Sequence, residues 1–230
     1  NKGLGVDNAM DGVRVKYNLL NSIDIKSFIG KSRTYLEYGD GIIRGVDFET
    51  NLFELLALEN STNLILGSSF VSRFQKDNNP KFNLPQNVGV YGLRSNLISG
   101  NFNYYIEYVH KYNDPAGSIA DNSNNYASGN AIKTSLTYFQ KGLGISFDAH
   151  RVDNMEFRSE RQQSKEYIIN YIPTLSKQHS YTLLAFYPCA TQSNGEIGFQ
   201  SDLYYKFDRG TIFGGKYGTK ININYSRVLA

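Results

Sequence analysis

From Gly195 the chain runs GEIGFQSDLYYKF, with Ile197, Phe199, Ser201, Leu203, Tyr205 and Phe207 at every second position and Glu196, Gln200, Asp202 and Lys206 between them. Side chains of an extended strand point to opposite faces in turn, so this segment presents one apolar and one polar face. A helix would scatter both sets around its surface. The same parity recurs in NFNYYIEYVHK, where Phe102, Tyr104, Ile106 and Tyr108 oppose Asn103, Glu107 and Lys111. It recurs again in IKTSLTYFQKGLGISFDAHR, which reads as two strands around Lys141-Gly142. There Leu136, Tyr138, Leu143, Ile145, Phe147 and Ala149 share the apolar side, against Lys133, Ser135, Thr137, Ser146, Asp148 and His150. Near the start, Val13, Val15, Tyr17 and Leu19 alternate with Arg14, Lys16 and Asn18. Further strands are expected near 23–31, 42–50, 64–74, 88–96, 166–172 and 180–187, giving about eleven strands and no clear helix.

GTIFGGKYG, residues 210–218, comes within one residue of a phosphate-binding loop: Gly210, Gly215 and Lys216 are in place, and Tyr217 stands where a Ser or Thr hydroxyl should be. That loop works as a turn from a strand into a helix whose N-terminal N–H groups meet the phosphates. After Lys216 the pattern is again period 2, with Ile221, Ile223 and Tyr225 against Lys220, Asn222 and Asn224. Phe213 and Tyr217 keep the same parity, so a long strand with a bulge at Gly214-Gly215 is expected after a tight Asp208-Arg209-Gly210 turn, with Lys216 on its polar face.

Composition agrees with β structure: 18 Tyr and 14 Phe stand beside 21 Gly and only 5 Pro. A net charge of +3 with 20% charged residues gives no reason to expect a nucleic-acid partner. Cys189 is the lone cysteine, which excludes an internal disulfide and a CxxC metal site. No run approaches the 18 or more apolar residues of a membrane helix. If the chain crosses a membrane, it does so as a closed β-barrel. NKGLGVDNAMDG carries no apolar leader, so a signal peptide is expected to have been removed or to lie outside these residues.

In the second half of the chain, connections are expected to alternate between long (112–131, 152–165, 188–195) and shorter (141–142, 173–179, 208–210). In an up-and-down meander this gathers long loops at one end, as in outer-membrane barrels. The strands also look longer than the 5–6 residues usual in soluble sheets and close to the 9–11 of tilted membrane strands. The expected architecture is therefore an all-β, antiparallel up-and-down transmembrane β-barrel. Its lipid-facing residues would be Phe102, Tyr104, Ile106, Tyr108, Leu136, Tyr138, Ile145, Phe147, Ile197, Phe199, Leu203, Tyr205, Ile221, Ile223 and Tyr225. Its lumen-facing residues would be Glu107, Lys111, Lys133, Asp148, Gln200, Asp202, Lys206, Lys216, Lys220, Asn222 and Asn224. The competing architecture is a soluble β-sandwich, which also alternates but buries its apolar rows between two sheets.

YGDGIIRGVDFE (38–49), KGLGISFDAHRVDNMEFRSER (141–161), YPCATQSNGEIGFQSDLYYKF (187–207) and GGKYGTKININYS (214–226) together resemble a family of outer-membrane β-barrel proteins of Bacteroidota. The resemblance implies an outer-membrane location, an antiparallel barrel, a cleaved signal peptide and a longer parent chain with further strands. It carries no catalytic residues.

Candidate chemistry is sparse. His110, His150 and His179 are too scattered for a metal site; His110 falls on the apolar face near a strand end and His150 on the polar face. Asp121, Ser123 and Asn125 match the first spacings of a calcium loop, but Tyr126 replaces its turn glycine and Ile132 its bidentate glutamate. Glu156, Arg158, Glu160 and Arg161 read as a solvated, mixed-charge loop or a docking surface. NLFELLALE (51–59) fits either a strand or a short amphipathic segment. No cofactor or metal is expected. The expected function is that of a non-enzymatic subunit of an outer-membrane complex in protein export or barrel assembly, with membrane lipid and other outer-membrane or periplasmic proteins as partners. A small-solute diffusion channel and a soluble ligand-binding sandwich are the alternatives.

Overall fold

The structure, a computed structural model, describes residues 5–6, 9–20, 22–34, 36–58, 61–76, 84–114, 127–160, 168–171, 175 and 191–229. Ten strands form one antiparallel sheet: β2 (Met10–Leu19), β3 (Ile23–Thr34), β4 (Glu37–Asn51), β5 (Thr62–Phe74), β6 (Asn87–Ser99), β7 (Phe102–Asp114), β8 (Ala127–Gln140), β9 (Leu143–Asp153), β11 (Gly195–Phe207) and β12 (Thr219–Leu229). Each pairs with its neighbour in the chain, except that β10 (Asn170–Tyr171) is skipped and pairs with β1 (Gly5–Val6) in a separate ladder. Strands of 10 to 15 residues exceed the usual soluble length and reach that of a membrane-crossing strand.

Two tight turns have the chemistry their geometry demands. Gly100-Asn101 joins β6 to β7 and Lys141-Gly142 joins β8 to β9, with Gly100 at φ +55° and Gly142 at φ +80°. Glycine enters this left-handed region without the Cβ clash that other residues meet.

The fold is thus all-β with one large meandering sheet. Among the described residues the sheet stays open: β2 and β12 each have one neighbour, and closure into a barrel is not formed here. No second large sheet stacks on it among the described residues, so the apolar rows do not interlock in a sandwich. NLFELLALE resolves into a four-residue helix, Leu52–Leu55, in the connection from β4 to β5.

Other expectations change. The long strand with a bulge at Gly214-Gly215 is not formed: β11 ends at Phe207 and β12 starts at Thr219. Between them Gly210, Gly215 and Gly218 take positive φ, and the Gly214 and Gly215 N–H groups both donate to the Thr211 carbonyl. Three left-handed residues and these local bonds reverse the chain, so the shared parity of Phe213 and Tyr217 is coincidental. The loop-length asymmetry is weaker than expected, because this connection and 52–61 lie at the same end as the Gly100-Asn101 and Lys141-Gly142 turns, and the two-residue connection from β3 to β4 lies at the other end. Longer connections 75–86, 115–126 and 154–194 gather at that other end. The strand expected at 180–187 lies outside the described residues, and of 166–172 only Ile168 to Tyr171 are described, carrying β10 and a bridge from Ile168 to Arg158.

Candidate functional site

Registry assigns every paired residue to one of two faces. Glu107 opposes Arg94 and Lys133, and Lys133 opposes His150. Gln200 opposes Asp148 and Ser226, and Asp202 opposes Asn224. These belong to one row system. Ile106, Thr134, Ala149 and Phe199 belong to the other, as do Tyr104, Leu136, Phe147 and Ser201.

Burial of the two faces is the reverse of a soluble sheet. The apolar face is open: Ile145, Phe147, Ile197, Leu203, Tyr205, Ile221, Ile223 and Tyr225 are exposed, as are Phe102, Tyr104, Tyr108 and Leu136. Ile106, Tyr138 and Phe199 share that face and are half-buried by neighbours in the same sheet, as in the 4.6 Å Phe102–Tyr138 ring contact. On the polar face Glu107, Lys111, Lys133, His150, Glu196 and Gln200 are buried, and Asp148 and Asp202 half-buried.

What covers the polar face is the chain itself. Beyond β9, residues 154–160 turn back across it, with Ile168–Tyr171 and Leu175 beside them. Met155, Phe157 and Ile169 pack against inward-facing Ile43, Val71, Val88, Val90, Val109, Ala131 and Val152. Burying a side chain of Phe157's class stabilises by roughly 1.5–3 kcal/mol. Inward glycines make the room. A Cβ at Gly41 would run into the Ser159 carbonyl, one at Gly129 into the Asn154 carbonyl, and one at Gly198 would lie 2.8 Å from the Leu175 side chain.

The inserted segment is pinned by buried charge. Arg73 of β5 donates to the Arg158 carbonyl at 3.0 Å and to the Asp114 carboxylate at 2.9 Å, with both side chains of the Arg73–Asp114 pair fully shielded. Lys111 donates to the Glu156 carbonyl at 2.9 Å, and Arg158 pairs with the Glu156 carboxylate. Asp114 reaches this cluster only through a register shift between Lys111 and Asp114 in the β7–β8 ladder. An unbroken alternation would have turned it outward with Tyr112; the extra residue re-aims it inward.

Toward the opposite end lies a second network. Arg94 bridges Asp47 and Glu49 of β4 at 2.8 Å each and also donates to Ser69, which donates to Asp47. At the covered end, beside the inserted segment, His150 Nε2 sits 2.6 Å from Glu196. Gln200 and Asn224 both donate to Asp202.

Several expected positions move. Lys216 is not on an inward face; it lies in the exposed β11–β12 connection, its ammonium 5.6 Å from the Tyr217 ring. Lys206, Lys220 and Asn222 keep the expected parity but are exposed, because β12 is an open edge with nothing across from it. Glu156 and Arg158 are not solvated: both are buried beneath the sheet. His110 is outward, in an aromatic cluster with Tyr91 and Tyr112. His179, Cys189, Arg161 and the candidate calcium ligands Asp121, Ser123 and Asn125 lie outside the described residues. Among the described residues no group of three His, Cys, Asp or Glu is placed to hold a metal. No helix among them is long and apolar enough to cross a membrane, which says nothing of strands.

Fold and site together define an all-β chain whose large meandering sheet buries a set of paired charges on its inner face and leaves rows of aliphatic and aromatic side chains open on its outer one. The chain belongs to the family of unknown function DUF6029, whose model matches residues 1–230. Comparison with curated proteins finds no match.

Proposed function

We propose that the chain belongs to an integral outer-membrane β-barrel of a Bacteroidota bacterium, acting without catalysis as a subunit of an outer-membrane complex. The observation that carries this is the burial inversion: rows of Ile, Phe, Leu and Tyr stand open while Arg73, Lys111 and Glu107 are shielded. In water, exposing those rows and burying those charges is doubly unfavourable. Against hydrocarbon the rows are in their proper solvent, and alternation of apolar-out with polar-in is the barrel pattern. Unpaired backbone along β2 and β12 cannot face lipid, so the reading requires these two edges to be paired in the membrane, with each other or with further strands.

A scaffold is favoured over a pore by the inserted segment, which fills the inner face with Met155, Phe157 and Ile169. Inner charges of both signs, paired with each other, also do not make the single-sign ring of an ion-selective channel. The partners are other outer-membrane or periplasmic proteins, in protein export or barrel assembly. The full-length protein in planar bilayers is expected to be electrically silent. Steady ohmic conductance would favour the diffusion-channel alternative, and recovery in the aqueous fraction after detergent-free lysis would favour a soluble protein.

A further inference from the structure

Charge on the outer face is confined to one end. Taking positions by register, the outward charged residues of the paired strands are Asp11, Lys31, Arg33, Arg44, Arg151, Asp153 and Arg227. All lie toward the end with connections 75–86, 115–126 and 154–194. The half nearer the Gly100-Asn101 and Lys141-Gly142 turns carries none. Tyr91, His110 and Tyr112 cluster at the charged end, with centroids 5.3 to 5.9 Å apart, as an aromatic girdle does at a membrane-water boundary.

Within this belt Arg44 is distinctive. Its Nε donates to Ser72 at 3.1 Å and its Nη2 to Asn87 at 2.7 Å, so two neutral partners on β5 and β6 fix the plane of the fork without neutralising it. Lys31 lies diagonally across on β3 but faces Asp11. Asp40 is four residues along β4, roughly 13 Å away at strand rise. A groove runs beside the guanidinium, walled by Val46, Phe70 and Tyr112 and floored by Gly89. A fixed guanidinium with no acidic partner among the described residues, set over an apolar channel, matches a phosphate joined to hydrocarbon, which the planar fork can grip through two N–H groups.

We propose that this groove seats an anionic phospholipid, with Arg44 holding the headgroup phosphate and a chain lying along Val46 and Phe70. The proposal rests on the membrane reading above. The test reconstitutes full-length protein into vesicles of equal phosphatidylglycerol and phosphatidylcholine and reads retained lipid by native mass spectrometry. Wild type is expected to retain phosphatidylglycerol selectively. Arg44→Gln is expected to lower that preference roughly fivefold, the equivalent of about 1 kcal/mol per basic residue at an anionic surface, while Arg151→Gln leaves it unchanged. If Arg44→Gln does not assemble, Asn87→Leu, which frees Nη2, is expected to shift it in the same direction. Insertion without lipid preference, or preference unmoved by whichever of the two variants assembles, overturns the site alone. Displacement of the lipid by millimolar inorganic phosphate assigns a simple ion site and also overturns it. Failure to enter vesicles at all overturns the membrane reading.

Discussion

Replacing Asp114 with Ala separates the two charge networks. Asp114 and Arg73 have no solvent-exposed side-chain surface and meet at 2.9 Å. Removing the carboxylate leaves a guanidinium in low dielectric, still bonded to the Arg158 carbonyl but without its counter-charge. Breaking a buried pair from one side costs about 3–5 kcal/mol. Asp47→Ala removes a carboxylate that is 26% exposed, and Arg94 keeps Glu49 and Ser69 as partners. The loss there is expected near the range of exposed pairs, up to about 1 kcal/mol. Both variants of the full-length protein are to be refolded into detergent micelles and titrated with urea, the folded fraction being read from heat-modifiable migration. Asp114→Ala should shift the midpoint far more than Asp47→Ala. Equal shifts would mean that the Arg73 cluster is hydrated and that the segment beyond β9 does not seal it.

Phe157→Ala empties a fully buried site and is expected to cost about 3–5 kcal/mol in the same titration. Gly129→Val, whose side chain would meet the Asn154 carbonyl, should unseat the inserted segment and raise protease cleavage near residue 160 while the strands stay protected. Leu203→Arg puts a charge between Ile145 and Ile223 on the outer face and is expected to cost about 2–4 kcal/mol and reduce membrane assembly; Asp202→Arg, one residue away on the inner face, should assemble, as judged by heat-modifiable migration.

Strand placement and face assignment were legible because period 2 is a direct signature of extended chain. Ile197, Leu203, Tyr205, Phe102, Tyr104 and Tyr108 fall on the open face, and Glu107, Lys111 and Lys133 on the covered one, as parity requires. Parity fails where the chain stops being extended. It carried Phe213 and Lys216 through a connection whose reversal depends on positive φ at Gly210, Gly215 and Gly218, and the clustering of glycines was the available warning. It would also have turned Asp114 outward, because a register shift leaves no mark in hydrophobic pattern. The largest omission was MEFRSER. Its charges signalled solvent, yet Glu156 and Arg158 are buried because their side chains pair with each other, while Arg73 and Lys111, from strands far away in sequence, donate to their backbone carbonyls. The alternation of Met155 and Phe157 with Glu156 and Arg158 was the readable trace of it.

The central claim is that the open apolar face of the sheet meets hydrocarbon. Nitroxide labels placed singly along β11 from Phe199 to Tyr205, in a Cys189→Ser background in liposomes, test it through collision rates with oxygen, which concentrates in lipid, and with a nickel chelate, which stays in water. Oxygen access is expected to peak at Phe199, Ser201, Leu203 and Tyr205 and fall at Gln200 and Asp202. Nickel access highest at Phe199, Leu203 and Tyr205, or no alternation in oxygen access, would contradict the account.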